Sequence, residues 1–87
     1  MKILIADKDN QAVKLLDLIL KELKFEPIVC NSGEEAWRRF QSNNFPPVLI
    51  IDPNLPDISG FELLKRVRES KRGKVTYVIF LAPRGLR

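Results

Sequence analysis

One carboxylate of this chain stands where a buried strand is expected to end. Asp52 directly follows an apolar run at 48–51 and opens the polar segment 52–60, which holds two prolines and a glycine. Ligands of open α/β sheets bind beyond the carboxyl ends of the strands. An aspartate in that position can hold a cation, or it can attack a phosphoryl group as a nucleophile.

Two more aspartates follow another apolar run, at 3–6. If the two runs form neighbouring parallel strands, Asp7 and Asp9 lie close to Asp52. Like charges gathered in this way raise one another's pKa, and Mg²⁺, which prefers oxygen ligands, relieves the conflict and creates a site for phosphate. The alternative is that Asp7 and Asp9 only cap the next helix. Asp57 is interpreted as an ordinary turn residue.

The elements that must position these aspartates alternate along the chain. Four apolar runs, rich in β-branched residues, have the composition of strands covered on both faces: 3–6, 27–30, 48–51 and 77–81. Segments with helical spacing separate them. The order β-α-β-α-β-α-β, with right-handed crossovers, predicts an α/β fold in which helices cover both faces of a parallel sheet. The segments 42–47 and 71–74 are predicted to be loops.

Three amphipathic helices are predicted. The first spans 11–23, with Asp9 or Asn10 as its N-cap. The second and third begin after Ser32 and Ser59, each of which is followed three residues later by a glutamate, as in a capping box. The predicted buried faces are Ala12, Leu15, Leu16, Ile19 and Leu23 in the first helix, Ala36, Trp37 and Phe40 in the second, and Leu63, Leu64 and Val67 in the third.

The composition excludes several kinds of site. The 87 residues suit one domain, and with no histidine and one cysteine, Cys30, the chain has no His-based triad, internal disulfide or zinc-ligand spacing. No apolar stretch reaches the roughly 18 residues of a membrane span and no signal-peptide pattern stands out, so the chain is predicted to be cytoplasmic. Basic residues outnumber acidic ones by eight to two in 61–87. Without interleaved aromatic residues, that cluster is interpreted as a solvated surface rather than a nucleic-acid interface.

The aspartates and their spacing resemble a known family, the receiver domains of two-component response regulators. The segment 3–9 is similar to the family's first strand and acidic pair. The segment 52–60 matches the pattern Asp-x-x-(Met/Leu)-Pro-x-x-x-Gly at Asp52, Leu55, Pro56 and Gly60. The resemblance spans essentially the whole chain. It implies a flavodoxin-like three-layer fold with strand order 2-1-3-4, in which 1–87 is one receiver domain that lacks the last β-α portion.

The resemblance also implies a reaction and a partner. Asp52 would be the phosphoacceptor, receiving a phosphoryl group from a histidine kinase or phosphotransfer protein, and the domain would be a signalling module rather than an enzyme. Mg²⁺ would be held by Asp7, Asp52 and the backbone carbonyl of Asn54, with Asp9 as a substitute ligand after a small shift. A hydrolase that uses Asp52 as its nucleophile is disfavoured, because Asn54 stands where a second aspartate would be needed.

Three positions depart from the family pattern. Lys8 replaces an acidic residue, Ala82 stands where a hydroxyl-bearing residue is usual, and the sequence stops at Arg87, before the strand that would bring a phosphate-binding lysine. An alternative function follows from Lys8. Its ammonium group could pair with Asp7 or Asp52 in place of a metal ion, which would leave a degenerate pseudo-receiver that acts only as a protein-protein docking module.

The fourth apolar run, from Tyr77 to Leu81, would be an edge strand in a sheet of this order. An exposed apolar edge is a template for pairing with another strand. We therefore predict a homodimer through this strand. The alternative is that the chain is a fragment of a longer protein whose remainder covers the edge.

Overall fold

The computed structural model describes residues 1–42 and 46–81. In chain order its elements are β1 Lys2–Ala6, α1 Asn10–Glu22, β2 Glu26–Cys30, α2 Gly33–Phe40, β3 Val48–Ile51, α3 Gly60–Glu69, a 3-10 helix Arg72–Val75 and β4 Tyr77–Phe80. The four strands are parallel and lie in the order β2-β1-β3-β4. The predicted fold class and strand order are confirmed. The expectations for Ala82 and for the end of the sequence concern residues outside the described part.

Two apolar cores lie on opposite faces of the sheet. On the α1 face, the buried residues are Ile3, Ile5, Val13, Leu20 and Ile50. On the α2 and α3 face, they are Leu4, Ala6, Cys30, Ala36, Phe40, Leu49, Ile51, Leu55, Leu63 and Val67. Alternate residues of β1 therefore enter different cores, which explains why the strands read as continuous apolar runs.

The buried face of α1 differs from the predicted stripe. Leu15, Ile19 and Leu23 are exposed, whereas Val13 and Leu20 are buried against the sheet. Apolar residues occur on two adjacent stripes of this helix, and helical spacing alone does not say which stripe faces the sheet. The length of α1 is 13 residues.

No helix in the described ranges is long and apolar enough to span a membrane.

The other two helices begin as their capping serines predict. The Glu35 amide donates to Ser32 Oγ at 3.2 Å, and the Glu62 amide donates to Ser59 Oγ at 3.1 Å. Glu35 does not close the predicted capping box on the Ser32 amide; its carboxylate accepts from the Asn31 amide instead, at 3.1 Å. The predicted inner faces of α2 and α3 are buried, with Trp37 and Leu64 only partly so.

The segment predicted as the loop 71–74 forms a 3-10 helix, Arg72–Val75. Two side chains from α3 and its end hold it. Arg68 Nη1 donates to the carbonyl oxygens of Gly73 and Thr76, both at 2.6 Å, and the Gly73 amide donates to Ser70 Oγ at 3.0 Å. These contacts satisfy backbone groups that a loop would leave to water, which explains why a polar sequence is ordered here.

Candidate functional site

The sheet brings Asp7 and Asp52 to the same edge. β1 and β3 are paired in register, with Ala6 opposite Ile51, and each aspartate is the next residue of its strand. The Asp52 amide donates to the Ala6 carbonyl at 2.8 Å, and the Asp7 amide donates to the Cys30 carbonyl at 3.0 Å. The backbone of both aspartates is thus held by the ends of the parallel ladder, and their side chains meet beyond it.

Asp7 is the more deeply placed of the two acids. It is 3% exposed, whereas Asp52 is half-buried. Burial raises the pKa of the Asp7 carboxyl, and a hydrogen bond and charge repulsion from Asp52 raise it further, against the lowering effect of the Asp9 amide that donates to Asp7 Oδ1 at 2.9 Å. Acids held this close repel each other when both are charged, so ionisation of the buried Asp7 is costly.

Two carboxylates, not three, converge at this edge. Asp9 is the N-cap of α1, and its Oδ1 accepts from the amides of Gln11 and Ala12 at 3.0 and 3.4 Å. Its charge still acts on Asp7. Within residues 1–42 and 46–81, no group of three or more histidine, cysteine, aspartate or glutamate side chains has the arrangement of a metal site. The side chain of Asp9 thus caps α1, as the alternative interpretation has it, and its role as a substitute metal ligand stays a prediction.

The loop after β3 folds back on its own start. The Asn54 amide donates to Asp52 Oδ1 at 2.9 Å, and the Gly60 amide donates to the Pro53 carbonyl at 2.9 Å. A Cβ atom on residue 60 would lie 2.6 Å from the Asp52 carbonyl oxygen, so only glycine fits this approach. The spacing of Asp52 and Gly60 in the sequence is the spacing that closes this loop.

Lys8 lies at the surface and forms no ion pair with the acid pair. Ion pairs among the described residues join Lys21 to Asp17 and Arg66 to Glu34 and Glu62. Lys8 is exposed. The arrangement in which its ammonium group replaces a cation between Asp7 and Asp52 is not the one that the structure adopts.

Asp57 has a tertiary role that the sequence did not reveal. Its Oδ1 accepts from the Gly33 amide at 2.8 Å and its Oδ2 from the Glu34 amide at 2.9 Å, so it caps α2 from a different segment of the chain. Slight burial raises the pKa of this carboxyl, but the amides of Glu34, Gly33 and Ile58 outweigh that effect and lower it. The interpretation of Asp57 as an ordinary turn residue misses this contact.

The acid pair has the chemistry of a divalent cation site. Negative charge on a buried carboxyl beside a second acid is costly, and a bound cation compensates that charge. Oxygen donors in a partly solvated cleft suit Mg²⁺, which keeps several water ligands and needs few protein ones. Asp7 and Asp52 are the side chains of the described part that fit such an ion.

The fold and this site together define a flavodoxin-like α/β domain with paired acids at the carboxyl edge of its sheet. The model of the response regulator receiver domain matches residues 3–85. The chain therefore belongs to the family of response regulator receiver domains, whose members serve two-component and chemotaxis signalling.

Individual relatives agree in sequence and in structure. The chemotaxis protein CheY1 of Helicobacter pylori is 31% identical over 86 residues, which cover 98% of this chain and 69% of that protein. A putative response regulator from Chloroflexus aurantiacus superposes with a TM-score of 0.91 at 36% identity, over 97% of this chain and 68% of its own. The chain thus spans about seven tenths of the length of these relatives.

A second similar structure is a chain in the complex of the histidine kinase ThkA with the response regulator TrrA. The similarity has a TM-score of 0.83 at 33% identity and covers 93% of this chain and 67% of that chain. This similarity supports the fold and the family of the chain.

Proposed function

We propose that the chain is a phosphoacceptor receiver domain in which Asp52 takes a phosphoryl group from a histidine kinase or a phosphotransfer protein. The observation that carries the proposal is the contact between the carboxyl groups of Asp7 and Asp52 at the carboxyl edge of the sheet. A half-buried aspartate beside a buried one is an arrangement in which a cation would compensate the charge of both acids and of an incoming phosphoryl group. We propose that residues 1–87 form the larger part of one such domain.

Each residue has a distinct role in the proposed transfer. An oxygen of the Asp52 carboxylate attacks the phosphorus, the bond from phosphorus to the donor histidine nitrogen breaks, and the electron pair stays on that nitrogen. Asp7 and the backbone carbonyl of Asn54 would hold Mg²⁺ with Asp52. When bound, this ion would neutralise negative charge on the phosphoryl oxygens. The Asn54 amide orients Asp52 by its hydrogen bond to Oδ1.

The partner that fits this chemistry is a protein that carries a phosphohistidine. The kinase and response regulator complex described above supports that choice, because the chain resembles it by fold and sequence. Small phosphodonors such as acetyl phosphate also supply a phosphoryl group, so phosphorylation of Asp52 can be tested without a kinase.

Intact-mass measurement with acetyl phosphate and Mg²⁺ tests the proposal. The expected result is one phosphoryl adduct on the wild-type chain and none on Asp52→Asn. Asp17→Asn removes a carboxylate on the surface of α1, where Asp17 pairs with Lys21, and should keep the adduct. An adduct that survives in Asp52→Asn would assign the acceptor elsewhere, and a wild-type chain that takes no phosphate would favour the docking-module alternative.

We also propose that two copies of this chain pair through β4. In the described part, β4 is the edge strand next to β3, and its residues Tyr77 and Ile79 are 76% and 48% exposed on the α1 side. No charged residue or proline occurs from Thr76 to Leu81, so this segment lacks the two residue types that most often block pairing at an edge. Antiparallel pairing about a twofold axis would join both sheets into one.

A further inference from the structure

Asp57 connects two elements that the sheet alone does not join. Its two carboxylate oxygens accept from the Gly33 and Glu34 amides at 2.8 and 2.9 Å, which fastens the 52–60 loop to the first turn of α2. The next amide of that turn, at Glu35, is satisfied within its own segment by Ser32. Two of the three free amides at the start of α2 thus depend on a residue from the loop that follows Asp52.

Packing reinforces this link beside the hydrogen bonds. A Cβ atom on Gly33 would lie 2.3 Å from Ile58 Cγ1, so the residue after Asp57 rests directly on the start of α2. A carboxylate at a helix N-terminus also interacts favourably with the helix dipole. The contact therefore combines a bidentate hydrogen bond, an electrostatic term and close apolar packing.

The link leads back to the other member of the acid pair. Asn31, which precedes the α2 N-cap, donates from Nδ2 to the Asp7 carbonyl oxygen at 3.3 Å. At the other end, the loop turns back to Asp52, whose Oδ1 accepts from the Asn54 amide. A closed path of contacts thus joins Asp52 to Asp7 through Asp57 and α2, in addition to the direct path through β1 and β3.

The short segment between Asn54 and Asp57 can transmit a displacement. It contains Leu55, which is buried, and Pro56, and it follows Pro53. Pro56 fixes its own φ and Leu55 is held in the core, so the two residues between the clamp at Asp57 and Asn54 have little freedom to move. Release of Asp57 should therefore alter the backbone at Asn54 rather than be absorbed along the way.

We infer that Asp57 is a positioning residue for the acid site: it holds the 52–60 loop against α2 and so fixes the backbone of Asn54 beside Asp52. The inference rests on the proposed function only where it predicts an effect of Asp57 on metal binding. The geometric part, which is that Asp57 keeps the Asn54 amide on Asp52, stands whether or not the chain takes a phosphoryl group.

The experiment compares Asp57→Ala with Ser32→Ala. Both variants remove a cap from the same turn of α2, but only the first cuts the link to the loop. Solvent exchange of the Asn54 amide, measured by NMR without metal, should be roughly fivefold faster in Asp57→Ala and within about twofold of wild type in Ser32→Ala. Asp57→Asn keeps one acceptor oxygen, so its exchange rate should lie between those of wild type and Asp57→Ala. It replaces the alanine variant if that variant does not fold.

Calorimetric titration with Mg²⁺ gives the second readout. The dissociation constant should rise roughly five- to tenfold in Asp57→Ala and not in Ser32→Ala. Equal exchange rates or equal Mg²⁺ affinities in the two variants would reduce Asp57 to an ordinary helix cap and overturn the inference. If the wild-type chain binds no Mg²⁺, the proposed function loses its metal, and the exchange of the Asn54 amide alone decides the inference.

Discussion

The carboxyl groups of Asp7 and Asp52 lie against each other one residue beyond the register pair Ala6 and Ile51. This contact places a buried acid against a half-buried one, and the pKa of Asp7 is raised by burial first and by Asp52 second. Protonated Asp7 therefore favours the folded state. Its stabilising contribution is fully present below the pKa of an unfolded aspartate, roughly 3.9, and is lost as the pH rises through the folded pKa.

Asp7→Asn should stabilise the metal-free chain at neutral pH. The amide can donate to Asp52 without a proton from solvent, and its Oδ1 can still accept from the Asp9 amide. A gain of about 1 kcal/mol would raise the midpoint of thermal unfolding by roughly 4–8 °C. Circular dichroism of both proteins from pH 4 to 8 checks this, and the difference between them should grow as the pH rises.

The same variant should lose its response to Mg²⁺. The ion should raise the unfolding midpoint of the wild-type chain and leave that of Asp7→Asn nearly unchanged, because one ligand charge is gone. Asp17→Asn is the matched control and should respond to Mg²⁺ as the wild type does. Equal responses of wild type and Asp7→Asn would contradict a metal site at this acid pair.

Lys24→Gly should stabilise the fold. Lys24 lies just beyond the C-cap of α1 with a φ of 69°, a left-handed conformation in which a Cβ atom is unfavourable, and the amide after it donates to the Leu20 carbonyl at 2.9 Å. Glycine adopts this conformation without the steric cost, so a gain of about 1 kcal/mol is expected in urea unfolding. Lys14→Gly, in the exposed middle of α1, should instead cost about 1 kcal/mol.

Gly60→Ala should damage both the fold and the acid site. The new methyl group would lie 2.6 Å from the Asp52 carbonyl oxygen and 2.8 Å from Pro53 Cα, and both are backbone atoms that move only with the loop. A loss of roughly 1–3 kcal/mol is expected, with slower phosphorylation by acetyl phosphate. Lys65→Ala, at an exposed position of α3, should change stability by less than about 0.5 kcal/mol. A fully active and stable Gly60→Ala would argue against the tight turn.

The sequence predicted the acid pair because each of the two strands can be identified from its own residues. The runs that end at Ala6 and Ile51 are continuous and apolar, parallel strands align their carboxyl ends, and the residues that follow must therefore meet. The same pattern predicted the edge position of β4. Capping serines, whose partners lie three residues away, were also readable, which is why the starts of α2 and α3 were predicted well.

Contacts between distant segments were not readable in this way. Asp57 binds amides 23 and 24 residues earlier in the chain, and no spacing rule links them. The buried stripe of α1 failed for another reason. Leu15 and Ile19 are as apolar as Val13 and Leu20, so hydrophobicity alone does not decide which of the two faces is buried. The bonds by which Arg68 orders the 3-10 helix span five and eight residues, and no capping or spacing rule predicts them either.

Ile79→Lys should separate the proposed dimer. Ile79 lies in the middle of the exposed edge of β4, where a lysine both resists burial and is a feature that natural edge strands use against pairing. Sedimentation equilibrium should show the wild-type chain associating with concentration, and the dissociation constant should rise at least about tenfold in the variant.

Leu18→Lys is the matched control for that experiment. Leu18 is 65% exposed on α1, more than the 48% of Ile79, so the substitution removes an accessible apolar side chain and adds the same charge away from the sheet edge. If general hydrophobic association were responsible, both variants would weaken it alike. If pairing through β4 is responsible, only Ile79→Lys should weaken the association. The backbone donors and acceptors that would join the two edges lie along Tyr77–Phe80. A wild-type chain that stays monomeric at high concentration would exclude both forms of association.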